Sequence, residues 1–399
     1  MSDQPLMNTY GRLPVVFDNG DGPWLFDTDG NKYFDTFCGI AVCGLGHAHP
    51  SVTSAIKDQA ERLVHCSNLY HTPLQLKLAK KLCDISGMDN VFFANSGAEA
   101  NEAAIKIARK YGHSKDIHTP TIIVMENAFH GRTMATLTAT GNRKAQAGFE
   151  PLLGGFVRAP FNDLEAIQNI AKANPSVVAV MLEPVQGEGG LNIATQEFMQ
   201  GVREICDANE WLLMLDEVQT GNGRTGHYFA AEHYGISADV ITTAKGLGNG
   251  YPIGACLAKG KAANILVPGS HGSTFGGNPL GCAAALATIN EISEHNLSAR
   301  ATELGNKMLN SFKEELLHTD YVKDIRGIGL MIGIEMVDPC VALVPIAKSK
   351  GLLLNVTSDN TIRLLPPLNL TDVECDFLID AVVQIIRLYA ADDRGGPRT

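Results

Sequence analysis

"ITTAKGLGNGYPIG", residues 241–254, is the stretch on which the reading of the chain turns. A β-branched run ends in Thr242-Thr243-Ala244, one lysine follows, and then comes a loop with three glycines in five residues. The run reads as a buried strand. Desolvation at the end of such a strand disfavours the ammonium form, so Lys245 has the setting of a Schiff-base nucleophile. Taken alone, the same residue fits a lysine snorkelling from a strand end. The other strand ends decide between the two.

Five further apolar runs resemble it: "NVFFAN" (90–95), "TIIVME" (121–126), "SVVAVMLEP" (176–184), "WLLMLDE" (211–217) and "GACLA" (254–258). They are apolar on both faces, as strands of a parallel sheet covered by helices are. Helical patterns lie between and after them, at 98–112, 195–210 and 281–295. Residues 51–83 carry a helical period broken near Pro73, and 21–35 reads as a hairpin about Asp29-Gly30. From 296 onward the texture changes: a helix, strands near 325–336 and 351–356, then a last helix over 371–390. The expected organisation is α/β, with a large domain of residues 51–295. A smaller α+β domain is made of 1–50 and 296–399, and the tail "DDRGGPRT" is expected to be disordered.

The 399 residues are 45% apolar and 19% charged, an ordinary globular composition. A formal net charge of −11 without a basic cluster argues against nucleic acid and anionic membrane surfaces. Nine cysteines, odd in number and without C-x-x-C spacing, read as reduced thiols, not as disulfides or a zinc site. The start "MSDQPLMNTY" has no secretory pattern, and no apolar run reaches membrane-spanning length. The expected location is the cytoplasm, and no metal is expected.

Ligands of open parallel sheets bind beyond the carboxyl ends of the strands. After "NVFFA" come Ser96, Gly97 and Ala98 at the start of a helix, a pattern that suits a phosphate and that, alone, is also a plain helix cap. After "TIIVMENA" come Phe129 and Arg132, able to stack on a flat ring and hold a carboxylate; singly, they read as core and surface. His130 between them has no partner in sequence that suggests a metal or a triad. Glu188, between glycines in "VQGEGGL", reads as a solvated charge on a flexible loop. Asp216 closes so apolar a run that its carboxylate must be paired or functional; alone, it is equally a helix cap or an ion-pair partner. Together, a phosphate cup, an aromatic plate, a carboxylate and a lysine at the ends of one sheet are the parts that hold pyridoxal phosphate. "GNGRTG" (221–226) matches a dinucleotide-binding fingerprint, but "DEVQT" separates it from its strand and only a short helix follows. It reads as a glycine-rich loop, and a nicotinamide dehydrogenase is the lesser alternative.

These residues carry a family likeness. The chain resembles the class-III, pyridoxal-phosphate-dependent aminotransferases, through "GIAVCGLGHAHP" (39–50), "NSGAEANEAAIKIARK" (95–110), "NAFHGRT" (127–133), "EPVQGEGG" (183–190), "LDEVQTGNGRTG" (215–226), "TTAKGLGNGYPIGA" (242–255), "HGSTFGGNP" (271–279) and "TIRLLPPL" (361–368). The resemblance implies fold type I of the pyridoxal-phosphate transferases, aspartate-aminotransferase-like, with a mostly parallel sheet and a smaller α+β domain. It implies that Lys245 binds the cofactor covalently, that Asp216 faces the pyridine nitrogen, and that Val218 and Gln219 lie beside the cofactor. Phe129 stacks on the ring, and Ser96, Gly97 and Ala98 hold the phosphate. Ser273 and Thr274 belong to a loop reaching across a homodimer interface, with Thr274 on the partner's phosphate. Arg132 binds a substrate carboxylate, Arg363 binds the α-carboxylate of glutamate, and Glu188 pairs with Arg363 when glutamate is absent. Cys43, Asn222 and Asn249 stand where the family more often has asparagine, an aliphatic residue and glycine.

Overall fold

The computed structural model describes residues 5–395. Its central sheet has seven strands: β1 (Asn90–Ala94), β2 (Thr121–Met125), β3 (Phe156–Ala159), β4 (Val177–Leu182), β5 (Leu212–Asp216), β6 (Val240–Thr243) and β7 (Gly254–Ala258). Their spatial order is β1-β7-β6-β5-β4-β2-β3. Strands β4, β5, β6 and β7 are buried at every position, the expected state of strands covered on both faces.

Two features depart from the sequence reading. Strand β7 is antiparallel to both its neighbours, β6 and β1, while the other six run one way. The chain leaves the sheet at Thr243 and re-enters it at Gly254 on the same edge, a return too short for a crossover helix. Strand β3 is an addition at the sheet edge. Its four residues include Arg158, whose guanidinium donates to the carbonyl oxygens of Thr138 and Thr140, and this charge hides the strand pattern.

Helices cover the sheet. The Gly97–His113 helix crosses it with Ala100, Ala103, Ala104 and Ala108 fully buried, small residues that let its backbone lie close to the strands. On the opposite face the Gln196–Ala208 helix buries Phe198, Met199, Val202 and Cys206. The helical period of 51–83 resolves into Pro50–Ala60 and Pro73–Ser86.

The first strands, Phe17–Asp21, Trp24–Asp27 and Lys32–Asp35, form a sheet that Leu352–Leu353 joins in parallel beside Lys32–Asp35. The start of the chain is therefore stitched to its last hundred residues. A second sheet holds Val322–Ile328, Met331–Met336, Thr361–Leu364 and Asn355–Thr357 in that order. The final helix, Asp372–Gly395, extends into the tail expected to be disordered; residues 1–4 and 396–399 lie outside the described residues.

Candidate active site

The ends of β1, β5 and β6, the start of β7 and the segment after β2 converge on a cavity of about 380 Å³. Ser96, Gly97, Ala98, Phe129, Asp216, Val218, Gln219 and Lys245 all line it. Ser96 caps the Gly97–His113 helix: its hydroxyl accepts from the Glu99 N–H at 3.2 Å. The first turn of a 17-residue helix thus opens on the cavity and brings the positive end of its dipole there. Two glycines make the fit possible. A Cβ on Gly97 would meet Val218 Cγ1 at 2.7 Å, and one on Gly254 would meet the Ser96 carbonyl oxygen at 2.4 Å.

Lys245 follows β6 with φ of 43°, in the left-handed region that costs a non-glycine residue about 1 kcal/mol or more. The turn is held from behind: Asn222 Nδ2 donates to Thr243 Oγ1 and to the Ala244 carbonyl, while Tyr228 donates to Asn222 Oδ1. Asn249, also left-handed, ties the following loop to residues 45 and 46 by accepting from the Leu45 N–H and donating to the Gly46 carbonyl. Both asparagines serve as fasteners of the lysine loop. Among the described residues Lys245 has no hydrogen-bond or ion-pair partner, and burial pulls its ammonium below the usual lysine range.

Asp216 is buried and heavily bonded. Its Oδ2 accepts from Asn101 Nδ2 at 2.7 Å and faces His130 Nδ1 at 2.7 Å, and its Oδ1 accepts from the Val218 N–H at 3.0 Å. His130, without a partner in sequence, therefore has one in space. Burial opposes its charge, but the bond to Asp216 and the nearby carboxylates outweigh burial and raise its pKa. Among the described residues its buried Nε2 has no partner. Glu183, at the same wall, accepts from the Phe129 N–H at 3.0 Å, and burial pushes its carboxyl up to about 8.

Phe129 forms a wall of the cavity, and the exposed guanidinium of Arg132 lies 5.6 Å from its ring centroid. Arg363 and Glu188 do not line the cavity but adjoin it through Gln219. Arg363 Nη1 donates to Glu188 Oε1 at 2.6 Å and to Gln219 Oε1 at 3.2 Å, and Asn355 Oδ1 accepts from its Nε and Nη2. This corrects the solvated-loop reading of Glu188. Thr357 and Ser358 donate to its carbonyl, and Arg326 holds the carbonyls of Gly190 and Leu191 further along the loop. Burial would raise the Glu188 carboxyl; Arg363 outweighs it and lowers it. Ser273 Oγ accepts from Asn95 Nδ2 at 3.1 Å beside the helix start, whereas Thr274 is exposed and lies away from this cavity.

The glycine-rich stretch 221–226 opens no long helix; it is a turn whose Arg224 is buried and donates to the carbonyls of Leu330 and Pro366. Sequence reading missed Asn101, Glu183 and the bond of His130. Asn101 stands one turn beyond the helix start, a position that does not by itself reveal what its amide bonds to. The cavity can seat an anion at the helix start, a flat ring against Phe129, a ring nitrogen at Asp216 and a carbonyl carbon at Lys245.

A family model described as aminotransferase class-III matches residues 6–386, and the chain belongs to that family. It is 55% identical to the acetylornithine aminotransferase of Nitrosomonas europaea, over 96% of this chain and 98% of that one. It is 48% identical to the acetylornithine aminotransferase of Methanocaldococcus jannaschii, over 95% of each. Among solved structures, the ornithine aminotransferase of Toxoplasma gondii superposes with a TM-score of 0.93 at 32% identity, covering 98% of this chain and 94% of that one. The N-acetylornithine aminotransferase of Stenotrophomonas maltophilia gives 0.84 at 35% identity, over 96% and 98%. The fold is that of the type-I, aspartate-aminotransferase-like enzymes.

Proposed function

We propose that the protein is a pyridoxal-phosphate-dependent aminotransferase that interconverts N2-acetyl-L-ornithine and 2-oxoglutarate with N-acetyl-L-glutamate 5-semialdehyde and L-glutamate, a step of arginine biosynthesis. The observation that carries the reading is the Arg363–Glu188 pair beside the Lys245 cavity. One pocket must accept glutamate, whose α-carboxylate adjoins its reacting amine, and acetylornithine, whose reacting amine has no such neighbour. A guanidinium that can be matched either by a substrate carboxylate or by its own glutamate suits both, because neither state leaves a buried cation unpaired.

The residues fit pyridoxal phosphate. Ser96, Gly97 and Ala98 would hold its phosphate, Phe129 and Val218 its ring faces, Asp216 its ring nitrogen and Gln219 its edge. When bound, the cofactor supplies an aldehyde carbon for the amine and a ring that takes up the electron pair of a deprotonated carbon. Lys245 Nζ, whose ammonium form burial disfavours, serves as nucleophile and then as the base that moves the substrate proton. Asp216, braced on Oδ2 by Asn101 and His130, would hold a proton at the ring nitrogen. Arg363 orients glutamate, and Arg132 takes the far carboxylate of either substrate from the cavity mouth.

Thr274 belongs in this reading to the phosphate site of a partner copy in a homodimer, and Ser273 to the same shared rim. The exposed Leu63, Val64, Leu69, Tyr70 and Phe275, a band of apolar side chains about that loop, support it. The division into residues 51–295 and 1–50 with 296–399, and a cytoplasmic location consistent with nine free cysteines, belong to the same proposal.

The test is a half-reaction panel: loss of the visible band of the holoenzyme with acetylornithine, ornithine, succinylornithine, succinyldiaminopimelate, 4-aminobutyrate and glutamate. Fastest bleaching by acetylornithine among the terminal amines is expected. Ornithine, the substrate in the name of the Toxoplasma gondii neighbour, is the rival, and its faster reaction would overturn the substrate assignment.

A further inference from the structure

Asn101 is 1% exposed and sits one turn beyond the helix start at Gly97-Ala98, on the same helix face. Every polar atom of its amide is used. Nδ2 donates to Asp216 Oδ2 at 2.7 Å and to the His130 carbonyl at 2.8 Å, and Oδ1 accepts from Thr242 Oγ1 at 2.6 Å. The amide cannot be turned round, because its oxygen would then face a carboxylate and a carbonyl. Thr242 stands directly beside Asp216 in the register of β5 and β6, and its hydroxyl proton is committed to Asn101.

The two oxygens of Asp216 are thereby made unequal. Oδ2 is filled by Asn101 and His130, and Oδ1 has a single donor, the Val218 N–H. The open acceptor position is on Oδ1. We propose that Asn101, locked by Thr242, is a positioning residue that fixes which oxygen of Asp216 is offered to the cofactor ring nitrogen. One helix then carries the anion cup in its first turn and the carboxylate clamp in its second, and so registers both ends of the cofactor. The inference rests on the cofactor reading given above.

The test uses Thr242→Val, nearly isosteric, which removes only the hydroxyl, with Asn101→Ala beside it and Thr242→Ser as the rescue. Each protein is assayed as holoenzyme for kcat and KM, and after cofactor removal for affinity toward pyridoxal phosphate by equilibrium dialysis and for melting temperature. Loss of one buried hydrogen bond, which leaves the Asn101 amide oxygen unsatisfied and frees the amide that braces Asp216, predicts that Thr242→Val lowers kcat and cofactor affinity by roughly tenfold each. KM is expected to change less than about twofold, since the contact acts on the reacting state more than on substrate binding. Thr242→Ser is expected to recover both quantities, and Asn101→Ala to lose more than Thr242→Val. Wild-type kcat and affinity in Thr242→Val would overturn the proposal, as would a loss confined to melting temperature in both variants. A wild-type protein that binds no pyridoxal phosphate would instead overturn the cofactor reading itself.

Discussion

Glu188 Oε1 accepts from Arg363 Nη1 at 2.6 Å, and Arg363 is 1% exposed while the Glu188 side chain keeps 34% of its surface in solvent. The cation is fixed in place by Asn355 and the anion stands at the wet side. Of the two partners, the glutamate is the one with room to withdraw.

Glu188→Ala should therefore affect the two halves of the reaction unequally. With acetylornithine, Arg363 would be left unmatched, and the single-turnover rate is expected to fall by roughly tenfold or more. With glutamate the substrate itself supplies the carboxylate, and the fall should be several times smaller. Stopped-flow measurement of each half decides; equal losses would remove the exchange from the account.

Lys245→Ala should abolish turnover while leaving a protein that still takes up pyridoxal phosphate, because the helix start, Phe129 and Asp216 remain. Hydride reduction followed by peptide mass spectrometry should find an adduct at position 245 in the wild type alone. Turnover by the variant near the wild-type rate would end the proposed role of this amine.

Gly254→Ala should weaken cofactor binding without removing any polar group. Its Cβ would stand 2.4 Å from the Ser96 carbonyl oxygen and 2.8 Å from the Ser96 carbonyl carbon, both backbone atoms. The cup must shift or the strand must bend, at about 1–3 kcal/mol. Equilibrium dialysis should show roughly tenfold weaker binding of pyridoxal phosphate, and unchanged binding would mean that the cup tolerates displacement.

Glu217, fully buried, should make stability depend on pH. Burial pushes its carboxyl from 4.5 up to about 7, against donors from Thr220, Ala230 and Ala231. Between these values the unfolded chain ionises and the folded one keeps the proton, so folding loses stability as pH rises through that window. The cost is complete above about 7, on the order of 3 kcal/mol. Glu217→Gln does not titrate. Its stability relative to wild type, by urea unfolding, is expected to improve from pH 5 to pH 8 by up to that amount. A constant difference across the range would refute the assignment.

Strand-end chemistry was legible because the strands themselves were. Continuous β-branched runs announce burial on both faces, and whatever polar residue ends such a run stands out against it, as Asp216 and Lys245 do. What stayed hidden depends on partners far apart in the chain. His130 and Asp216 are 86 positions apart, and Glu188 and Arg363 are 175 apart. Glu188 read as a solvated charge because glycines flank it, yet Gly187 is there so that Gln219 can approach: a Cβ would meet Gln219 Oε1 at 2.1 Å. Asn101 was passed over because an asparagine inside an alanine-rich helix gives no local sign that its amide is spoken for on both sides. The reversed direction of β7 was equally silent, since an apolar run looks the same read from either end.

That reversal has a consequence for spacing. Ala94 is paired with Gly254, and Thr243 with Ala255, so the anion cup and the reactive amine leave the sheet on opposite flanks of one shared strand. The two strand ends stand two ladder widths apart, roughly 10 Å, a spacing dictated by peptide groups that every sequence possesses. Evolution can therefore retune the walls and mouth of this pocket residue by residue, while the gauge between its two anchoring points is inherited unchanged from the backbone.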